Sequence, residues 1–131
     1  MICDTDVIID YWNKNSRRYS STKDILENTI GVNNIILSAV TIMELINGAG
    51  NKNELDKINR DIHQFQIALI DNDITLLAIQ LLQDYRLSHG LALPDAIIAA
   101  TSIISKSELF TYNLKDYKFI QGIALFDTHI I

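Results

Sequence analysis

Short apolar runs alternate along this chain with longer stretches whose apolar residues recur every three or four positions, and that alternation sets the expected fold. Residues 1–4 are an apolar run ending on the charge of Asp4, and residues 5–12 then mix polar and apolar side chains at helical spacing. A buried strand turning into a helix is expected there. Asp6 and Asp10 fall on one face of that helix, four residues apart and mutually repulsive, and Asp10 reads as solvated. A further helix is expected over 22–29, stopping at Gly31. The β-branched content of 35–38 predicts a second buried strand, followed over 39–48 by a helix that is apolar except along Thr41, Glu44 and Asn47 or Gly48. From 51 to 65, Leu55, Ile58, Ile62 and Phe65 recur among charged residues as an amphipathic surface helix. Residues 66–70 suggest a third strand. Asp71, Asn72 and Asp73 then cap a helix carrying Ile74, Leu77, Ala78, Leu81, Leu82 and Tyr85 on its core face, which Gly90 is placed to end.

The stretch from Leu93 to Ile104 departs from this amphipathic style. Pro94 suits the first helical position, where its missing N–H is no loss. Asp95 then sits in the first turn, where unpaired N–H groups and the helix dipole favour a negative charge. Small and apolar residues from Ala96 to Ala100 leave no wide polar stripe, so this helix is expected to be buried on most sides. Residues 108–112 and 123–126 read as later strands, with 113–117 a loop or single helical turn between them. Strands alternating with helices, and short enough to be buried on both faces, predict an α/β fold. The expectation is a three-layer α/β/α sandwich around a mainly parallel sheet of four to five strands. No repeat, low-complexity tract or linker divides the 131 residues, so residues 1–131 are expected to form one domain.

Composition narrows the chemistry. The chain is 48% hydrophobic with one Pro and five Gly, as a packed domain requires. No apolar run approaches a membrane span, and Met1-Ile2-Cys3-Asp4 lacks a basic leader, so a cytoplasmic protein with no membrane association is expected. Cys3 is the only cysteine and reads as a buried strand thiol. The net charge of −5 offers no general attraction for nucleic acid. Setting aside Asp4, Asp6, Glu44, Asp95 and Asp116, however, leaves 11 acids against 11 bases, so the whole excess fits one local cluster. Lys14, Arg17, Arg18 and Lys23 form a basic group that suits either a solvated face or phosphate contacts.

Four acids recur in one topological setting: Asp4 after the first strand, Glu44 beyond the second, Asp95 at a helix start and Asp116 after a late strand. Parallel strands bring their carboxyl ends to one edge, and carboxylates gathered there repel one another without a cation. Oxygen-only ligands suit Mg²⁺ or Mn²⁺ rather than Zn²⁺. His63, His89 and His129 form no ligand motif and read as surface residues.

The segments carrying these acids resemble the motifs of the PIN domain. Asp4-Thr5-Asp6-Val7-Ile8-Ile9 is similar to its first motif and Ser38-Ala39-Val40-Thr41-Ile42-Met43-Glu44-Leu45 to its second. Leu93-Pro94-Asp95-Ala96-Ile97-Ile98-Ala99-Ala100-Thr101 is similar to its third, and Thr111-Tyr112-Asn113-Leu114-Lys115-Asp116-Tyr117 to its fourth. Size and the leucine-proline-aspartate motif most resemble VapC-type toxins of bacterial toxin–antitoxin pairs. That resemblance implies a PIN-like sandwich and an endoribonuclease that hydrolyses RNA phosphodiester bonds with Mg²⁺ or Mn²⁺. It also implies a homodimer restrained by a VapB-like antitoxin. Asp4 and Asp95 would be the main metal ligands, completed by Glu44 and Asp116 directly or through water. Thr5, Thr111 and Asn113 would orient the carboxylates or a phosphate.

Two positions depart from the family pattern. Asp6 stands where Asn or Ser is common, adding a ligand or only charge, and Tyr112 stands where Arg is frequent. The fourth acid varies in the family between the positions of Asn113 and Asp116. Two other readings compete with the nuclease. Asp4-Thr5-Asp6 also resembles the DxD motif of haloacid-dehalogenase-type phosphatases, although their later lysine and paired acids find no convincing match. From a different class, the acids would serve a catalytically silent binding module in which they only hold a structural cation. Tyr11, Trp12 and the helix over 51–65 suit antitoxin or dimer contacts as well as they suit ordinary packing.

Overall fold

A computed structural model describes residues 1–128. Strand β1 (Ile2–Cys3) is followed by α1 (Thr5–Trp12), α2 (Tyr19–Asp24) and β2 (Ile36–Ser38). Then come α3 (Ala39–Asn47), α4 (Lys52–Ile62), β3 (Gln66–Ala68), α5 (Asn72–His89), α6 (Leu93–Ser105) and β4 (Leu109–Phe110). The four strands form a parallel sheet in the order β3-β2-β1-β4.

Register explains the layers. Ile2 pairs with Ile36 and Leu109, and Cys3 pairs with Phe110. Neighbouring residues of a strand point to opposite faces. Ile2, Ile36 and Leu109 accordingly join the core that holds Leu81 of α5 and Ile98 and Ala99 of α6. Cys3, Leu37 and Phe110 join the opposite core with Val7 and Ile8 of α1, Leu26 and Phe65. One sheet thus closes two cores, the arrangement expected for the sandwich. The Cys3 thiol is fully buried, and burial pushes it up to about 12, so it is an inert packing group.

Local chemistry sets the helix ends. Asp71 caps α5 by accepting the Ile74 N–H at 2.9 Å, and Gly90 ends it in the left-handed conformation at φ 69°. The buried positions of α5 include Ile74, Ala78 and Leu81, with Leu77, Leu82 and Tyr85 half-buried beside them, as its periodicity predicts. On α4 the outer face carries Lys52–Asp56 and Lys57–Asp61 ion pairs at 3.2 and 2.8 Å. Among the described residues no helix is long and apolar enough to cross a membrane.

Several expectations change in detail. Residues 123–126 make one bridge, Leu125 to Leu109, in place of a fifth strand. Only two backbone bonds hold that bridge, from Leu109 N–H to Ala124 O and from Phe126 N–H to Leu109 O. The helix expected over 22–29 begins at Tyr19 and loosens into a π turn over Ile25–Ile30 before Gly31. Leu93 opens α6 and Pro94 takes its second position, one residue from the expected place. Asp10 is not simply solvated: it accepts the Ser16 hydroxyl at 2.7 Å and pairs with Arg18 at 3.7 Å.

Candidate metal centre

The carboxyl edge of the sheet gathers the segments that follow β1, β2 and β4. Asp4, the residue after β1, is 6% exposed and caps α1. Its Oδ1 accepts the Thr5 N–H at 2.8 Å and its Oδ2 accepts the Thr111 hydroxyl at 2.8 Å. Burial drives its pKa above the ordinary carboxylate range. Bonds from Thr111, Thr5 and Tyr117 oppose that rise, and the charge of Glu44 adds to it. Thr111 also takes the backbone N–H of Asn113 at 3.0 Å, so one hydroxyl joins the loop after β4 to the acid after β1. The side chain of Asn113 is exposed and has no hydrogen-bond partner among the described residues; its contribution here is the backbone N–H.

Glu44 comes from the polar stripe of α3, whose first turn is fixed by Ser38 accepting the Val40 N–H. Thr5 donates its hydroxyl proton to Glu44 Oε1 at 2.7 Å and lies 3.2 Å from the buried Thr41 hydroxyl, locking α1 to α3 beside the acids. Asp95 occupies the first turn of α6 as its spacing predicts. Its carboxyl is raised to about 6, first by burial and next by the field of Asp4. A hydrogen bond from Tyr117 opposes the rise, and Asp116 and Glu44 push it further. Asp116 lies in a single 3₁₀ turn over Leu114–Asp116. All four acids therefore act within one field, although they come from four separate elements.

Asp6 faces a different neighbour. Its Oδ2 accepts the backbone N–H of Tyr112 at 3.0 Å, while Oδ1 is buried with no hydrogen-bond partner. Burial and the charge of Asp4 push its carboxyl up to about 7. Tyr112 is held from its other side as well: its hydroxyl bonds Thr22, and the Arg18 guanidinium lies 4.3 Å from the centre of its ring.

The ion pairs found among the described residues are those of Asp10, Asp56 and Asp61, so none neutralises the clustered acids. No group of three or more acid, histidine or cysteine side chains among the described residues is gathered tightly enough to hold a metal ion as it stands. The donor set nonetheless fits a hard divalent cation. It is all oxygen, and Asp95 Oδ2 and Glu44 Oε2 have no hydrogen-bond partner among the described residues. His63 and His89 are exposed, and His89 stacks on Phe119 at 4.4 Å. His129 lies outside the described residues.

Tyr117 is the residue that the sequence reading passed over. It is fully buried, and its hydroxyl reaches Asp95 Oδ1 at 3.1 Å. Its place next to Asp116 was the available signal, since a tyrosine buried beside acids needs a partner for its hydroxyl.

Solved structures of similar fold include several toxin–antitoxin complexes. A toxin–antitoxin complex from Klebsiella pneumoniae is 28% identical, with 94% of each chain covered and a TM-score of 0.74. FitAcB from Neisseria gonorrhoeae is 22% identical over 99% of each chain, with a TM-score of 0.72. DNA-bound VapBC from Salmonella typhimurium is 20% identical over 96% of each chain, with a TM-score of 0.76. Comparison with curated proteins gives no match. The PIN domain matches residues 1–119, which carry β1 through β4 and all four acids, and the chain belongs to the PIN-domain family.

Proposed function

We propose that this protein is a metal-dependent endoribonuclease and the toxin of a toxin–antitoxin pair. The observation that carries the reading is the gathering of Asp4, Glu44, Asp95 and Asp116 at one edge of the sheet, where Asp95 is raised to about 6 first by burial and next by the charges of the other three, with no ion pair among the described residues to neutralise any of them. Four acids sharing one uncompensated field suit a site whose countercharge arrives from outside.

In this reading Asp4 and Asp95 hold Mg²⁺ or Mn²⁺, with Glu44 and Asp116 completing the set directly or through water. Bound there, the cation supplies Lewis acidity toward a phosphate and acidifies water enough for attack at neutral pH. Thr5 and Thr111 fix the carboxylates through bonds of 2.7 and 2.8 Å, so little reorganisation is left to the moment of reaction. Asp6 is assigned to holding the loop after β4, through the Tyr112 N–H that its Oδ2 accepts.

The comparisons support a reading of the partners. Several similar solved structures are toxin–antitoxin complexes, two of them bound to DNA and one of these to a promoter fragment, and we extend to this chain a VapB-like antitoxin and a homodimer in the cytoplasm. Exposed Met43, Leu87 and Leu93 supply apolar surface for such contacts. The phosphatase reading finds no ion pair between a lysine and Asp4 among the described residues.

The test is cleavage of RNA by purified protein with Mn²⁺, with excess chelator, and by the Asp95→Asn variant. Chelator should stop cleavage and added Mn²⁺ restore it. The variant should lose activity by ~100-fold or more, beyond the usual loss of a supporting partner, while keeping its circular dichroism spectrum. Chelator-resistant cleavage or full activity of Asp95→Asn would overturn the proposal. Metal binding without any cleavage would leave the silent binding module in its place.

A further inference from the structure

Tyr117 unites two environments that a core residue does not ordinarily combine. Its ring is 0% exposed and packs in the core formed with α5 and α6. Its hydroxyl leaves that apolar setting and donates to Asp95 Oδ1 at 3.1 Å, with Asp4 as a second carboxylate neighbour. A phenylalanine would fill the same volume with no polar atom to satisfy, so packing alone gives no reason for the oxygen. Asp4 and Asp95, for their part, stand on separate elements, the end of β1 and the first turn of α6. Like charge drives them apart, and no basic side chain among the described residues pairs with either.

We propose that Tyr117 is a positioning residue of the metal site, its hydroxyl tying Asp95 toward Asp4 from a ring that the core holds rigid. The inference rests on the metal-site reading given above. The tie has two effects. It opposes the mutual repulsion of the two acids while no cation is present. It also occupies Oδ1 of Asp95 and so fixes the rotation of the carboxylate, leaving Oδ2 as the oxygen without a partner and available to a ligand. Asp4 is already fixed by Thr5 and Thr111, so Asp95 is the acid whose direction depends on Tyr117.

The test is Tyr117→Phe, which removes one oxygen and no ring volume. Mn²⁺ binding is measured by calorimetry on wild type, Tyr117→Phe and Asp95→Asn at about pH 8, well above the ordinary carboxylate range. RNA cleavage is followed across a Mn²⁺ titration. Tyr117→Phe should bind Mn²⁺ about tenfold more weakly, as loss of a ligand's orienting partner typically does. Its cleavage should fall at low Mn²⁺ and return to the wild-type rate once the ion is raised by the same factor. A merely structural role would not move the metal dependence in this way. Equal affinity in Tyr117→Phe and wild type overturns the positioning role alone, and so does a defect that persists at saturating Mn²⁺. If wild type binds no Mn²⁺, or Asp95→Asn binds as tightly as wild type, the metal-site reading falls and this inference falls with it.

Discussion

Asp6 holds a charge in surroundings that oppose it. One oxygen is satisfied by a backbone N–H, the other is buried without a partner, and the carboxyl is raised to about 7. An acid that is harder to ionise in the folded protein than in the unfolded chain costs stability as pH rises through its folded pKa. Asp6→Asn keeps an oxygen for the Tyr112 N–H and removes the charge. At about pH 8 it should raise unfolding free energy by roughly 1–2 kcal/mol, after discounting for the partial exposure of the group. Near pH 5 the gain should fall to less than half, because Asp6 is then protonated in the folded protein and only ionisation of the unfolded chain still favours unfolding. Urea denaturation at both values checks this, and equal stability of the two proteins at pH 8 would refute it. The sequence made Asp6 conspicuous as a departure from the family pattern, but it could not reveal its partner. That partner is a backbone group 106 residues away, and backbone groups leave no mark in composition or spacing.

At the scale of elements, the parts most legible in the sequence were those set by local rules. The buried face of α5, its Asp71 cap and its Gly90 terminus all follow from periodicity and capping chemistry. Elements whose limits depend on tertiary contact were less legible. Two-residue strands such as β1 and β4 hold because cores on both faces of the sheet bury them, and the π turn after α2 lies where Ile25 and Leu26 enter a core that sequence spacing alone does not define. Asp10 was misread for the same reason, since Ser16 and Arg18 come back to it through a turn. The end of α6 offers a test of local geometry. Lys106 adopts the left-handed conformation at φ 54°, a region that costs an ordinary side chain about 1–2 kcal/mol. Lys106→Gly should stabilise the protein by about 0.5–1 kcal/mol, because relief of that strain outweighs the extra freedom of the unfolded chain. A lower urea midpoint for the variant would contradict this.

For the molecule as a whole, the acid edge links metal, pH and stability. Asp95 and Asp6 are raised to about 6 and about 7, so the folded protein binds more protons than the unfolded chain between the ordinary carboxylate range and neutrality. Stability without metal should therefore decline as pH rises from about 5 to about 8, by roughly 2 kcal/mol or several degrees in Tm. Millimolar Mn²⁺ should remove much of that decline, because a ligand that binds only the folded state stabilises it. Thermal melts across pH with chelator and with Mn²⁺ measure both effects. A Tm that rises with pH in chelator would contradict the account. The placing of Asp4, Glu44, Asp95 and Asp116 within one field was legible, because strand ends and helix starts can be placed from pattern. Tyr117 was not, because its hydroxyl meets the acids only through packing that brings the end of the 3₁₀ turn under α6.

The bond from Thr111 to Asp4 spans 107 positions, and β1 has its partners at residues 36 and 109–110. During synthesis the first acid of the site is therefore made long before the hydroxyl that orients it. A ribosome must release residue 111 from its tunnel before the edge of the sheet can close. Chains that terminate before residue 111 lack both that hydroxyl and Asp116, and emerge with an unfinished acid cluster.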